Sequence, residues 1–406
     1  MVVGLAVLGA AVLTGGGSAA AEPAGGAELV DRVRRALGPA VVVRETERGP
    51  DWVRVQLVRT DEAYPVAVDV LVGTGAAPRR TAYLLPGGGL NFAANFFTPR
   101  VHNLAHDLRR QGYLVIGVTP REDSLPALSN DPVAGGWGLA AHRRDLAAVA
   151  AVVNRVTGLP HDVLGHSAGA ALALSYAGTG PAGLGRVLVL DTTGPFDPVA
   201  EADLRQRAAQ SRDVVAGLLG TTHAVDTANA RRTLLRAVAA DPLGDSGVAR
   251  PAGGTFTWAG LLHFQLIRTR DAGGVFNWIY EPSVHAGEYA FGAAPAQDAF
   301  ALRHATVALV AEATDNLGSG MLPTALLRDL FALWSGDAGL VDWAGIEAPV
   351  TWVNMGEGRG DHPYGARPIA EGGNPDVTFT VVPGYGHGDP VWGVHADRDV
   401  WPLLRA

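Results

Sequence analysis

The 406-residue chain contains no cysteine. Disulfides, thiolate metal sites and a cysteine nucleophile are therefore excluded outright. Lysine is missing as well: all 32 basic residues are arginine. With the excess of Ala and Gly, that reads as the codon bias of a GC-rich genome, so the arginines are not individually chosen for bidentate chemistry. Serine is scarce, at ten residues. Charge of one sign is not in excess along any stretch. The 32 basic and 40 acidic residues leave a net charge of −8 and form no basic stripe or tail. Nucleic acid is not an expected partner, because its electrostatic footprint is missing. Beyond the N-terminus no apolar run is a convincing membrane span.

The N-terminal run Val2 to Leu13 has the length of a signal-peptide apolar region, and Ala19-Ala20-Ala21 before Glu22 offers a small-residue cleavage site. The first arginine is Arg32, so a positive leading region is lacking. The expectation is a signal peptide over residues 1–21 and a secreted protein, with a cytoplasmic one as the alternative.

What is present is apolar material, at 48% of the chain, enough for a large core or for a core with an inserted subdomain. "AELVDRVRRAL" (27–37) has helical spacing. "DWVRVQLVRT" and "VAVDVLVGT" alternate apolar and polar residues as strands do. "TAYLLP" (81–86) is a short strand, 98–112 is expected to be a helix closed by Gly112, and "YLVIGV" (113–118) is a buried strand. "GLAAHRRDLAAVAAVVNRVTG" (138–158) sets Leu146, Val149, Val153 and Val156 on one helical face, followed by the strands "DVLGH" and "RVLVL". This alternation implies an α/β protein with a mostly parallel, doubly wound sheet. From about Pro195 the rhythm gives way to helical segments and loops. It resumes at "APVTWVNM" and "VTFTVVP". The predicted division is a core over 22–194 and 347–406, interrupted by a helical cap over 195–346.

Residues 165–169 read Gly-His-Ser-Ala-Gly. With ten serines and 53 glycines, about 0.2 such G-x-S-x-G matches are expected by chance, so context must carry the reading. The context is a strand, a turn and a small-residue helix. Flanking glycines relieve crowding where the backbone turns sharply and lifts the Ser167 hydroxyl above the sheet edge, and the Ala168 N–H sits at the helix start. A serine needs a base. His387, on the glycine-rich loop of "VTFTVVPGYGHGDPVWG", suits a ring that must move between hydroxyl and leaving group. His166 is the weaker candidate, since adjacent residues on such a turn point apart. The acid that orients the imidazole belongs on a loop after a strand. Asp361, Glu357 and Asp191 all qualify, with Asp361 placed first. "LLPGGGLNF" (84–92) supplies three consecutive glycines after a strand, where backbone N–H groups can approach a substrate.

This order of elements resembles the α/β-hydrolase family, over about residues 50–194 and 347–400. The resemblance implies Ser167 as nucleophile, His387 as base, Asp361 as acid (alternatives Glu357 and Asp191), and the N–H groups of Ala168 and Gly88 as oxyanion donors. Two positions depart from it: Pro86 stands at the head of the glycine loop, where His is usual, and Arg359 stands three residues after Gly356, where the acid is usual. Asp361 as acid then requires a two-residue insertion.

The expected activity is hydrolysis of a carboxylic ester or lactone of an apolar small molecule or lipid through an acyl-enzyme. Acyl transfer, thioester cleavage or peptidase action by the same triad are the alternatives, and a non-catalytic binding protein is the last choice. No cofactor or metal is expected: His263, His285 and His304 lack paired zinc-ligand spacing. Eight aromatics between Phe256 and Phe291 either line a substrate pocket or fill the core of the cap. Substrate identity and oligomeric state are left open by the sequence.

Overall fold

The computed structural model describes residues 26–337 and 339–405, so the leader expected over residues 1–21 lies outside the described residues. Among the described residues, seven strands precede the interruption: β1 (Val41–Arg48), β2 (Trp52–Arg59), β3 (Ala67–Gly73), β4 (Arg80–Leu85), β5 (Tyr113–Thr119), β6 (His161–His166) and β7 (Leu184–Leu190). Six short strands pair off within it: β8 (Ala224–Asp226) with β13 (Met321–Pro323), β9 (Asp245–Ala249) with β10 (Thr255–Thr257), and β11 (Gly287–Ala290) with β12 (Ala299–Leu302). Finally β14 (Val350–Met355) and β15 (Val377–Val382) return to the main sheet. That sheet has nine strands in the order β1-β2-β3-β5-β4-β6-β7-β14-β15. The first three junctions are antiparallel, and the six strands from β5 to β15 run parallel.

Side chains that alternate along a strand point to opposite faces, and here both faces are buried. Tyr83, Leu85, Leu114, Ile116, Val187 and Val189 join one core cluster, while Ala82, Leu84, Val115, Leu188 and Leu190 join the other. This explains why the parallel strands read as continuous apolar runs. The helices Leu139–Thr157 and Ala168–Ala177 cover the first face, and Leu104–Arg110 covers the second. The sheet is thus doubly wound, as the alternation predicted.

Three features differ from the sequence reading. β1 was not foreseen, because this edge strand is mostly exposed and lacks an apolar face. The helix expected from Thr98 begins at Leu104, where the Asn103 side chain accepts a hydrogen bond from His106 N at 2.8 Å and caps it. The interrupting segment carries three two-stranded ribbons in addition to its helices, since strands of three to five residues are too short for alternation to register.

The aromatics of that segment divide. Phe256, Phe264 and Tyr289 build a satellite core with Leu234, Leu261 and Val310, and the exposed Phe291 lies against their rings, all centroids 5.0–6.4 Å apart. Phe276 and Trp278 pack on Phe331, in the helix Thr324–Trp334 that joins the main core. Among the described residues no helix is long and apolar enough to cross a membrane.

Candidate functional site

The strand β6 ends at His166, and the helix Ala168–Ala177 begins one residue after Ser167. Ser167 makes the whole turn at φ 57° and ψ −121°, a conformation that L-residues occupy only when their surroundings enforce it. The enforcing contacts are local. Ser167 N donates to Leu190 O on β7 at 2.9 Å. A Cβ at Gly165 would stand 2.1 Å from Gly169 O, and one at Gly169 would stand 2.0 Å from Leu85 O. Both glycines are therefore demanded by backbone packed on backbone where the helix crosses β4 and β6.

Across from this turn, His387 lies on the loop after β15, buried with its imidazole between two partners. Its Nε2 is 2.9 Å from Ser167 Oγ, and its Nδ1 is 2.6 Å from Asp191 Oδ2. The carboxylate contact makes Nδ1 the protonated nitrogen, so Nε2 accepts from the serine hydroxyl. The other Asp191 oxygen accepts from Met355 N at 2.6 Å and Arg359 N at 3.2 Å. Asp191 is fully buried and itself sits at φ 47°.

The carboxylate against His387 is thus Asp191, and the placement of Asp361 first is corrected. Asp361 is exposed on the loop after β14, six residues past the strand end. Glu357 points elsewhere, to Arg303 Nη1 at 2.7 Å. The departure at Arg359 has its own explanation: its backbone N–H serves Asp191, and its guanidinium lies over Tyr280 (4.9 Å) and Trp334 (5.2 Å). Burial, and then Arg359 and His285 nearby, push the His387 pKa well down. Burial also raises Asp191, to about 6, against the opposing pull of the Met355 N–H and Arg359.

Gly87 and Gly88 lie beside the serine. A Cβ on Gly87 would be 3.3 Å from Ser167 Cβ, and one on Gly88 would be 3.5 Å from Ala168 Cβ and 2.8 Å from Leu322 Cδ1. Gly87 N–H is taken by Asn95 Oδ1 at 2.8 Å. Gly88 N–H has no hydrogen bond among the described residues, and Ala168 N–H, at the first helical position, has no intrahelical acceptor. These two donors can hold a developing oxyanion. Gly89, at φ +73°, is pressed against Thr227. Thr227 and Leu322 therefore reach the glycine loop from the interrupting segment, and Tyr280 of the same segment reaches the histidine loop, its ring meeting His387 edge-on at 5.3 Å. Thr227 and Leu322 carried no signal in the sequence, since nothing local marks a contact made across more than 100 residues, and Asn95, eight residues from Gly87, stands in no recognisable motif.

A mostly apolar pocket opens beside Gly88 and Ala168, walled by Val66, Val118, Leu139, Leu172 and Leu326. His142 and Glu122 also line it. His142 Nδ1 is 2.9 Å from Gly138 O and Nε2 is 3.0 Å from Glu122 Oε2. Both ring nitrogens face acceptors only, so both carry protons. Burial opposes that charge, but Glu122 outweighs it and raises the His142 pKa to about 9 from an ordinary 6.5. Because the folded value is the higher one, the stabilisation is complete below pH 6.5 and is lost as pH rises through 9. It amounts to roughly 3 kcal/mol. The expected result is that the protein's unfolding free energy exceeds that of a His142→Gln variant at pH 6 and that the gap closes by pH 9.5. A gap independent of pH would rule the ion pair out.

No family model matches the sequence. Among solved structures, the chain is similar to a protein of Sulfolobus solfataricus named as a candidate lipase, at TM-score 0.58 and 15% identity, covering 90% of this chain and 97% of that one. It is also similar to an E-2-(acetamidomethylene)succinate hydrolase (TM-score 0.47, 13% identity, 87% and 100% covered) and to a thermostable carboxyl esterase of Bacillus coagulans (0.46, 14%, 90% and 94%).

Proposed function

We propose that this chain, which has the α/β-hydrolase fold, is a serine hydrolase that cleaves a carboxylic ester or lactone through an acyl-enzyme. The observation that carries the reading is the hydrogen-bonded line from Ser167 Oγ through His387 to Asp191, at 2.9 and 2.6 Å. Ser167 Oγ attacks the carbonyl carbon as its proton passes to His387 Nε2. Asp191 holds the Nδ1–H tautomer and stabilises the imidazolium that forms. The carbonyl oxygen becomes an anion between the N–H groups of Ala168 and Gly88, two neighbouring donors with no other bond among the described residues. His387 then gives its proton to the leaving oxygen. Water, activated by the same imidazole, resolves the acyl-enzyme.

The apolar pocket beside Gly88 and Ala168 supports an apolar acyl group. Residues 195–346 serve as the cap over a core of 22–194 and 347–406, a role supported by Thr227, Tyr280 and Leu322 at the site. The test is labelling by a fluorophosphonate, with the label mapped to Ser167, followed by hydrolysis of nitrophenyl esters of increasing acyl length. A protein that neither labels nor turns over any ester of the panel sinks the reading.

The acid limb of the rate profile follows from Asp191. Catalysis needs its carboxylate ionised, and burial raises its pKa to about 6. Activity is level above that pH and falls as pH drops through it, because a protonated Asp191 no longer stabilises the imidazolium. A kcat/KM profile should show an acid midpoint near 6, and a rate undiminished at pH 4.5 contradicts the assignment.

A further inference from the structure

Asn95 and His166 are fully buried beside the site, and the mechanism above uses neither. His166 Nε2 is 2.9 Å from the backbone carbonyl of His387, an oxygen that only accepts, so Nε2 carries the ring proton. Its Nδ1 is 3.2 Å from the Asn95 amide. The Asn95 oxygen is already engaged by Gly87 N–H at 2.8 Å. The remaining partner for Nδ1 is the Asn95 NH2, which donates to it. Donors and acceptors then match along one line: Gly87 N–H to Asn95 Oδ1, Asn95 Nδ2–H to His166 Nδ1, His166 Nε2–H to His387 O. Burial, and then the neighbouring His387, keep the His166 ring neutral, with its pKa pushed down to about 3. That is the only charge state in which Nδ1 can accept.

We infer that Asn95 and His166 are positioning residues: a neutral hydrogen-bond relay that locks the glycine loop, the serine turn and the histidine loop into one register. Its ends bear on the two moving parts of the chemistry. At one end, Gly87 is the residue before the oxyanion donor Gly88. At the other, the captured carbonyl belongs to the base itself, whose ring lies 4.8 Å from that of His166. The bond from His166 to His387 spans 221 residues, so no local element supplies this constraint. A fully satisfied buried polar network of this kind is worth its desolvation only if every member is paired, which fixes one geometry and penalises the others. The middle member of the relay is the last residue of β6, directly before Ser167, and its ring reaches the histidine loop through His387 O.

The inference rests on the serine-hydrolase reading, and the test separates the two. His166→Phe keeps the ring volume and removes both hydrogen bonds. It is expected to lower kcat on a nitrophenyl ester by about 10- to 100-fold with little change in KM, since small misplacements of reacting groups cost rate at this scale. His166→Gln, whose amide can both donate and accept, should recover most of that loss. Asn95→Leu should reproduce the drop, and the double variant Asn95→Leu/His166→Phe should fall no further, as expected of one unit. Full kcat in a folded His166→Phe, or simple multiplication of the two losses, overturns the relay. The ring's ¹⁵N shifts in the unaltered protein test it without turnover. A protonated Nε2 and bare Nδ1 on His166 are expected, and the opposite tautomer overturns the relay whether or not the protein is active. Failure of the unaltered protein to label or turn over instead removes the Ser167 reading and leaves the ¹⁵N shifts to decide the relay.

Discussion

Ser167→Ala is expected to lower kcat on an activated ester by a factor on the order of a millionfold, to the residue of rate that oxyanion donors and binding alone supply. The variant should also take up no fluorophosphonate. The size of the effect follows from the proposed acyl-enzyme: without Oγ that covalent intermediate does not form, and His387 Nε2 loses the hydroxyl held at 2.9 Å. Alanine at φ 57° is no better suited to the turn than serine, so the fold should be retained and Tm should move little. Residual turnover within tenfold of the unaltered protein would mean that another residue attacks, and the serine turn would then be a structural corner only.

The second large effect separates three carboxylates. Asp191→Asn is expected to cost about 10⁴ in kcat. The asparagine keeps an oxygen for Met355 N but presents an N–H to His387 Nδ1, where a carboxylate oxygen stood at 2.6 Å. The imidazole must then turn its bare nitrogen toward residue 191 and its N–H toward the serine, the wrong tautomer for a base. Asp361→Asn, in an exposed side chain, should leave kcat within about twofold, and Glu357→Gln removes a partner of Arg303 worth at most about 1 kcal/mol of stability. If Asp361→Asn lost as much rate as Asp191→Asn, the geometry at His387 would not be the one that works.

Much of the site was legible because its marks fall within short stretches of chain. Gly165 is required by a 2.1 Å approach to Gly169 O inside the strand–turn–helix unit, and Gly169 by a 2.0 Å approach to Leu85 O on the neighbouring β4, but both leave their mark within five consecutive residues. His387 stood out for a similar reason: it follows a strand and lies between glycines. The acid did not, since Asp191, Glu357 and Asp361 all follow strands and all lie between serine and histidine in chain order. Strand register decides among them. β6 pairs with β7 so that His166 is opposite Leu190, and β7 pairs with β14 so that Leu190 is opposite Val353. Ser167 and Asp191 are each one residue beyond a matched pair, at the same height on neighbouring strands. Asp361 is out on a loop.

The sequence by itself therefore determined the doubly wound sheet, the strained serine turn and the histidine loop, because hydrophobic period and turn glycines are written in residues close in the chain. The division of the aromatics between the satellite core and the site, with Tyr280 alone of that group against His387, was decided only in three dimensions. So were the choice of Asp191 and the line from Gly87 through Asn95 and His166 to His387. Each of these depends on which strand lies beside which and at what offset. That is a property of the packed sheet, and no stretch of sequence carries it alone.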